Sequence, residues 1–351
     1  MDNVVFIALT PYHVKVSNYL AKNKYKDKNK RIIITPFRYT KKEALESIVQ
    51  EEWYDDVVYY DFDYSTKKVL KNFCKNSKKA LKELKEFENS VIDYKPGLLI
   101  YFNDQPVPYQ SLFIKIRDNL DCKLMLVEEG LGMYLKKEKF NFKNYILYLV
   151  RKHLFKVYKS RFFTHAKGGY EDMVYLREPD LIESKSEKIK MSNEDFKEIV
   201  MQSYKEIDFD IAPDSMLLSP AGTVYHKDIM LNIFEEIFIY SKSRKRILYV
   251  KLHPAERYIN EIKELIMKYK DNVIYIEDNK YTSEDFILNE NITTIISDYS
   301  STLINAHYLR SDIELLSYMY RLYEKYSVDL GLNISILEKL FNEGVIKRIE
   351  I

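Results

Sequence analysis

Three short stretches carry residue types that could do chemistry. Lys123-Leu-Met-Leu-Val-Glu128-Glu129-Gly130-Leu-Gly132 is an apolar run that ends in two adjacent carboxylates and a Gly-x-Gly turn. Two such acids cannot both stay comfortably ionised in a partly dry site, so one pKa rises, which suits a general base. The alternative is a strand end with two solvated glutamates. Lys251-Leu-His253-Pro254 closes a second apolar run. Proline holds the chain extended after the histidine, and an imidazole there can donate to a phosphate or protonate a leaving oxygen near neutral pH. Read alone, His253 is better taken as a surface histidine at a strand end. Ser297-Asp-Tyr-Ser300-Ser301 ends a third run and opens a helical pattern. Helix N-termini bind anions through free N–H groups and serine hydroxyls add donors, although a serine there is also an ordinary N-cap.

Weaker candidates accompany these. Pro220-Ala-Gly222-Thr223 is a strand-to-loop turn whose glycine lets the backbone approach a ligand, and Glu277 closes another apolar run. Thr10-Pro11-Tyr12-His13 follows the first apolar run. Asp61-Phe-Asp63 has the D-x-D form of a metal–nucleotide site, but that form is common and a plain loop pair is the better reading. GxGxxG, the phosphate loop GxxxxGK[ST], HExxH and His/Cys clusters are all missing, which leaves nicotinamide, P-loop and zinc readings without support.

The elements that must position these residues alternate regularly. Val4–Leu9, Ile32–Thr35, Asp56–Tyr60, Gly97–Phe102 and Lys123–Val127 read as strands, with helices near 11–22, 41–52, 67–89 and 110–119 between them. Continuous apolar runs are the mark of strands buried on both faces, and strand–helix alternation predicts a parallel sheet. A second series begins at Met216, with strands at 216–219, 246–252, 272–277, 293–297 and 313–317 and a helical tail at 335–342. The polar stretch 179–190 reads as the boundary, giving domains 1–190 and 191–351. The expected fold class is α/β, two doubly wound Rossmann-type domains facing across a cleft, with ligands at the carboxyl ends of their strands.

Composition sets further bounds. The chain has 351 residues, 46% hydrophobic and 31% charged, which is globular in character and long enough for two cores. A net charge of +2 gives no electrostatic footprint for nucleic acid. Lysine-dense blocks at 22–31 and 67–85 read as solvated faces, with attraction to an anionic membrane or polymer as the alternative. The cysteines, Cys74 and Cys122, form no framework, and the short apolar N-terminus without basic residues is not a signal peptide, so a reducing cytoplasm is expected. The stretch Phe140 to Phe163 is the most lipid-friendly; it reads as a buried amphipathic helix, with an interfacial helix as the alternative.

In order and spacing, the acid-acid-Gly, His-Pro and Ser-Ser motifs, with the Thr10-Pro11-Tyr12-His13 turn, resemble the bacterial GT-B sialyltransferases, above all the capsular polysialyltransferases and lipooligosaccharide sialyltransferases. The resemblance implies a GT-B-like fold and inverting transfer of a sugar, typically sialic acid, from a CMP-activated donor to a glycan or glycolipid hydroxyl of capsule or lipooligosaccharide. It implies no metal or other cofactor, no nucleic-acid partner, and a cytoplasmic enzyme, peripheral at the inner membrane face. It makes Glu128 the general base, with Glu129 the fallback, and His253 the donor-phosphate contact. Ser300 and Ser301 would hold the phosphate. Pro254, Gly222, Thr223 and Glu277 would line the nucleotide, and Gly130, Thr10 and His13 the acceptor side. The His-Pro and Asp-Tyr-Ser-Ser pair also resembles the CDP-glycerol and CDP-ribitol phosphotransferases of teichoic acid synthesis, the alternative reading. A two-domain binding protein without activity is the third.

Overall fold

The computed structural model describes residues 2–35, 42–60, 73–136, 142–162, 169–222, 226–253, 256–277, 281–328 and 334–351. The chain divides into two compact units, Met1–Gln202 and Ser203–Ile351.

The first unit alternates as the apolar runs dictate. Its strands are β1 (Asn3–Ala8), β2 (Asn29–Ile34), β3 (Asp56–Tyr59), β4 (Leu98–Tyr101), β5 (Lys123–Val127), β6 (Met173–Leu176) and β7 (Glu187–Lys190). Its helices are α1 (Pro11–Asn23), α2 (Lys42–Glu46), α3 (Phe73–Asp93), α4 (Val107–Asn119), α5 (Phe142–Leu154) and α6 (Asn193–Met201). The strands form one sheet in the order β3-β2-β1-β4-β5-β6-β7, and every pairing is parallel. Val5, Phe6, Leu99, Ile100, Leu124 and Leu126 are fully buried, as a sheet covered on both faces requires. The strand order reverses between β1 and β4. Chain crossovers leave in opposite directions there, which opens a crevice at the strand ends.

Two expectations change here. The stretch 179–190 holds a short 3-10 turn, Pro179–Leu181, and the edge strand β7. An edge strand has one neighbour and exposed faces, so Glu-Lys-Ile-Lys needs no apolar run, and its charges discourage further pairing. The division falls at Gln202/Ser203 and not at 190/191, because α6 packs on α1. Asp195 is the hinge of that packing. It completes a capping box with Ser192 at the start of α6, as the Ser-x-x-Asp spacing predicts. It also accepts hydrogen bonds from the Tyr19 hydroxyl of α1 and, at 2.7 Å, from the Tyr175 hydroxyl of β6.

The second unit contains β8 (Ser215–Leu218), β9 (Leu248–Val250), β10 (Val273–Tyr275), β11 (Ile292–Ser297), β12 (Glu314–Ser317) and β13 (Ile346–Arg348). Its helices are α7 (Lys227–Ser243), α8 (Ile259–Lys268), α9 (Ser283–Ile287), α10 (Ser301–Leu309), α11 (Met319–Tyr326) and α12 (Ser335–Asn342). The sheet runs β10-β9-β8-β11-β12-β13, again all parallel, and reverses between β8 and β11. Ile233, Phe234, Ile237 and Phe238 of α7 fall at helical spacing and pack with Leu218, Leu248, Val250 and Ile296 of the strands. The C-terminal tail adds a strand after its expected helix. Ile346-Lys-Arg is too short and charged to announce itself, but it extends the sheet beside β12.

Replacing Asp195 by Ala removes a helix cap and the acceptor for two half-buried tyrosine hydroxyls. Chemical denaturation is expected to show a loss of about 2–3 kcal/mol, whereas Glu198→Ala on the same helix, which accepts from exposed Asn23, changes stability by less than about 0.5 kcal/mol.

Candidate active site

The crevice of the first unit is framed by the ends of β1, β4 and β5. After β1 the chain turns through Thr10, whose hydroxyl caps α1 by accepting from the His13 amide at 3.3 Å, and Pro11 supplies the fixed backbone angle of the first helical turn. This turn drives His13 inward, where it is fully buried. Its ring stacks on Phe102, just past β4, with centroids 4.2 Å apart and planes 6° from parallel. Its Nδ1 accepts from the Leu9 amide at 3.2 Å. Burial lowers the imidazole pKa to about 3, so the ring is neutral and, with Nδ1 accepting, carries its proton on Nε2. That Nε2 has no hydrogen-bond partner among the described residues and lies 3.6 Å from Glu129 Oε1. His13 thus stands behind a carboxylate and is too buried to line an acceptor surface itself.

Glu128 and Glu129 leave β5 in opposite circumstances. Glu128 is fully buried. Arg177, just past β6, donates to its Oε1 from Nε at 2.7 Å and from Nη2, and to its Oε2 from the backbone amide at 2.8 Å. The Tyr134 hydroxyl donates to Oε2 at 2.6 Å. Four donors fill the four acceptor positions of a carboxylate. Burial alone would lower the Arg177 pKa, but the Glu128 charge outweighs it and holds the guanidinium above its ordinary value. Phe196 of α6 covers the guanidinium, 4.5 Å from the ring centroid. The first acid of the pair, expected as the base, is thus held by donors on both oxygens. A carboxylate saturated by a buried arginine has no lone pair turned to a substrate. Glu129, the fallback, keeps 29% of its side chain exposed.

Gly130 follows with φ +155°, a conformation that strains any other residue, although space around it is open. It is needed for the turn from β5 into the 3-10 segment Leu131–Tyr134, which brings Tyr134 back onto Glu128.

The second unit gathers its candidates at its own switch point. Gly222 follows β8, His253 follows β9, and Ser300 and Ser301 follow β11. A Cβ on Gly222 would meet His253 Nδ1 at 3.1 Å, so the absent side chain is what lets this loop lie against the imidazole. His253 is exposed by surface area; partial desolvation first, with a smaller push from Lys251, lowers its pKa, although Glu256 opposes both. It is mainly neutral near pH 7. Ser300 is the N-cap of α10, accepting from the Thr302 amide at 3.2 Å, and Ser301 is the first helical residue, half-exposed. The cap is therefore Ser300 and not Ser301. A second-domain anion would meet the N-terminal end of a nine-residue helix, with its positive dipole end, beside an imidazole.

Asp298, which sequence reasoning passed over as a site residue, ties this cluster together. Its Oδ1 accepts from the Ala221 amide at 2.9 Å, joining the β8 loop to the end of β11. It is fully buried, its Oδ2 has no partner among the described residues, and burial raises its pKa to about 6. Arg177 and Tyr134 were also missed. No motif marks them; only the pairing of β5 with β6 brings Arg177 to Glu128. Glu277 stands apart: it follows the edge strand β10, is 73% exposed, and pairs with Lys263 at 2.6 Å. Thr223, Pro254, Asp61 and Asp63 lie outside the described residues, among which no group of three or more His, Cys, Asp or Glu could hold a metal ion.

The family model for alpha-2,8-polysialyltransferase matches residues 4–319. No curated protein matches the chain. Among solved structures it is similar to the UDP-GlcNAc 2-epimerase of Methanocaldococcus jannaschii (TM-score 0.62, 15% identity, 99% of this chain and 89% of that one). MnaA of S. aureus, in a co-structure with UDP, shares the fold at TM-score 0.57 and 12% identity over 99% of this chain and 84% of that one. The glycotransferase of kitacinnamycin does so at TM-score 0.55 and 10% identity over 99% and 86%. Identities this low speak for the fold, which is GT-B-like, two Rossmann-like α/β domains.

Two outcomes follow from the geometry. Arg177→Ala strands a buried carboxylate and is expected to cost about 3–5 kcal/mol in chemical denaturation, against less than about 0.5 kcal/mol for Glu129→Gln. For Asp298→Asn the sign depends on pH. The native pKa of about 6 lies above that of an unfolded aspartate, so wild-type stability falls as pH rises between the two values. The asparagine variant should therefore melt above the wild type at pH 8, and that advantage should shrink at pH 5, where the native carboxyl is mostly protonated.

Proposed function

The chain belongs to the alpha-2,8-polysialyltransferase family and is a glycosyltransferase, and from that premise we propose that it moves sialic acid from a CMP-activated donor to a hydroxyl of a surface glycan, of capsule or lipooligosaccharide type, with Glu129 as the general base. The observation that carries the base assignment is the split between the two adjacent acids. Glu128 is saturated by Arg177 and Tyr134, whereas Glu129 is partly exposed and faces a neutral imidazole. The position of the base thus moves one residue along from the one the family resemblance suggests.

In this reading the acceptor hydroxyl gives its proton to Glu129 as its oxygen bonds to the anomeric carbon. The bond from that carbon to the phosphate oxygen breaks, the configuration inverts, and CMP leaves. The second unit handles the leaving group: the N-terminal amides and serine hydroxyls of α10 accept the phosphate charge, and His253 hydrogen-bonds or protonates its oxygen. A mainly neutral His253 donates a hydrogen bond without demanding a second negative charge as partner. Gly222 gives the nucleotide close approach to the backbone beside it. Glu277, on the edge strand and paired with Lys263, takes no part. Acid–base and hydrogen-bond donors suffice for each step, so no metal is required. Support for a nucleotide at these strand ends comes from the shared fold of proteins that hold UDP. The finer choice of CMP rests on the family.

Turnover of CMP-sialic acid by the purified chain with a sialylated acceptor, in the presence of a chelator, is the direct test. Glu129→Gln is expected to lower kcat by about 10²–10⁴-fold, and CMP, not UDP, is expected to raise the melting temperature, by an amount equivalent to about 2.7 kcal/mol at a hundred times Kd. Full activity in Glu129→Gln overturns the base assignment. Stabilisation by UDP alone, or turnover of CDP-glycerol in place of CMP-sialic acid, overturns the donor.

A further inference from the structure

The helix α5 is dressed the wrong way round for a domain in water. It runs Phe-Lys-Asn-Tyr-Ile-Leu-Tyr-Leu-Val-Arg-Lys-His-Leu, and of its 13 residues only Leu154 is buried. One side is held to its domain. The Tyr148 hydroxyl donates to the Ser160 carbonyl at 2.5 Å, and Tyr145 and Tyr148 meet Phe162 with ring centroids 5.2 and 5.3 Å apart. The adjoining face, about 100° round the helix, carries Phe142, Ile146 and Leu149 at i, i+4 and i+7, one continuous stripe, and these are 69%, 42% and 39% exposed. A surface helix normally turns such a stripe inward. The sequence expectation of a buried amphipathic helix therefore does not hold, because the domain uses the tyrosine side for its own packing.

The charge around the stripe selects what covers it. Between Glu138 and Glu171 the chain has eight Lys and Arg and no Asp or Glu. Lys143, Lys152 and Lys156 lie on or beside α5, whereas Lys159 is paired with Asp118 and Arg161 lies over Tyr170. A second copy meeting this face across a two-fold axis would set like charges against like, and protein interfaces are depleted in lysine at their centres. Thirteen residues span about 20 Å of helix, too short to cross a bilayer but suited to lying in its surface. Among the described residues no helix is long and apolar enough to cross one.

We propose that α5 is a membrane-surface helix: its Phe142–Ile146–Leu149 stripe enters the interface of a bilayer and the surrounding cations engage anionic headgroups. The exposed ring of Tyr158, in the turn after α5, adds an amphipathic contact at the depth where such rings settle. This inference stands apart from the assignment of donor and base, and holds whether or not the chain uses CMP-sialic acid.

The test is flotation of the full chain with vesicles of phosphatidylcholine alone or with phosphatidylglycerol added. Wild type is expected to float with the anionic vesicles about tenfold more than with the neutral ones, and Lys143→Glu with Lys156→Glu to abolish most of that difference. Ile146→Glu with Leu149→Glu is expected to reduce flotation by about tenfold or more, and the milder Ile146→Ser with Leu149→Ser to do so in part, both with an unchanged circular dichroism spectrum and melting temperature. Equal flotation with both vesicle types, flotation that survives the stripe variants, or a wild-type dimer that those variants convert to monomer overturns the proposal.

Discussion

The ligand face of the first unit depends on one buried ion pair. Glu128 and Arg177 sit at the ends of neighbouring strands β5 and β6, and their four-donor contact with Tyr134 fixes where both strands release the chain. Such a pair is costly to bury, and a well-packed apolar substitute could be as stable. What an apolar pair would not supply is direction. The Arg177 amide, its guanidinium and the Tyr134 hydroxyl each aim at a particular oxygen, so the backbone at Glu128 is held from several sides at once. The next residue leaves from that anchored point. Glu129 thus follows a residue whose place is fixed on several sides.

The same economy of topology appears in both units. Each sheet is parallel, each reverses once, and each places its chemically capable residues beside the reversal: His13 and Glu129 near β1, β4 and β5, and Gly222, His253, Asp298 and Ser300 near β8, β9 and β11. The end of a parallel strand is where a chain must turn, and at a reversal no crossover covers the opening. Glu277 shows the rule from the other side. It ends a strand equally well, but at the sheet's edge, and its carboxylate is taken up by a surface lysine.

Much of this was legible in the chain. Long apolar runs gave the central strands, because a strand buried on both faces has no freedom to be polar, and the strand-end motifs gave His253, the serines and the acid pair. What escaped was what local pattern does not encode. The edge strands β7 and β13 are charged because only one flank is paired, so they read as linkers or tail. The helix α5 reads as core by its apolar content, and only its packing shows that the tyrosine side, not the stripe of Phe142, is the one used. Arg177 lies 49 residues from Glu128 and joins it through strand pairing alone. Ranking Glu129 over Glu128 required that partner, which spacing along the chain cannot supply.

The partners of the two acids also explain why they should differ in chemistry. Glu128 has its acceptor positions taken by Arg177 and Tyr134. A neutral imidazole N–H can orient a carboxylate with a hydrogen bond. His13 is kept neutral by complete burial, and its tautomer is set by the Leu9 amide, so the N–H it offers toward Glu129 does not depend on protonation near pH 7. At 3.6 Å the contact is longer than a hydrogen bond. Glu128 is thus fixed by its donors, while Glu129 is partly exposed beside an imidazole. In the role proposed for Glu129, that difference in neighbours separates a structural carboxylate from a working one more sharply than their adjacent positions in the chain.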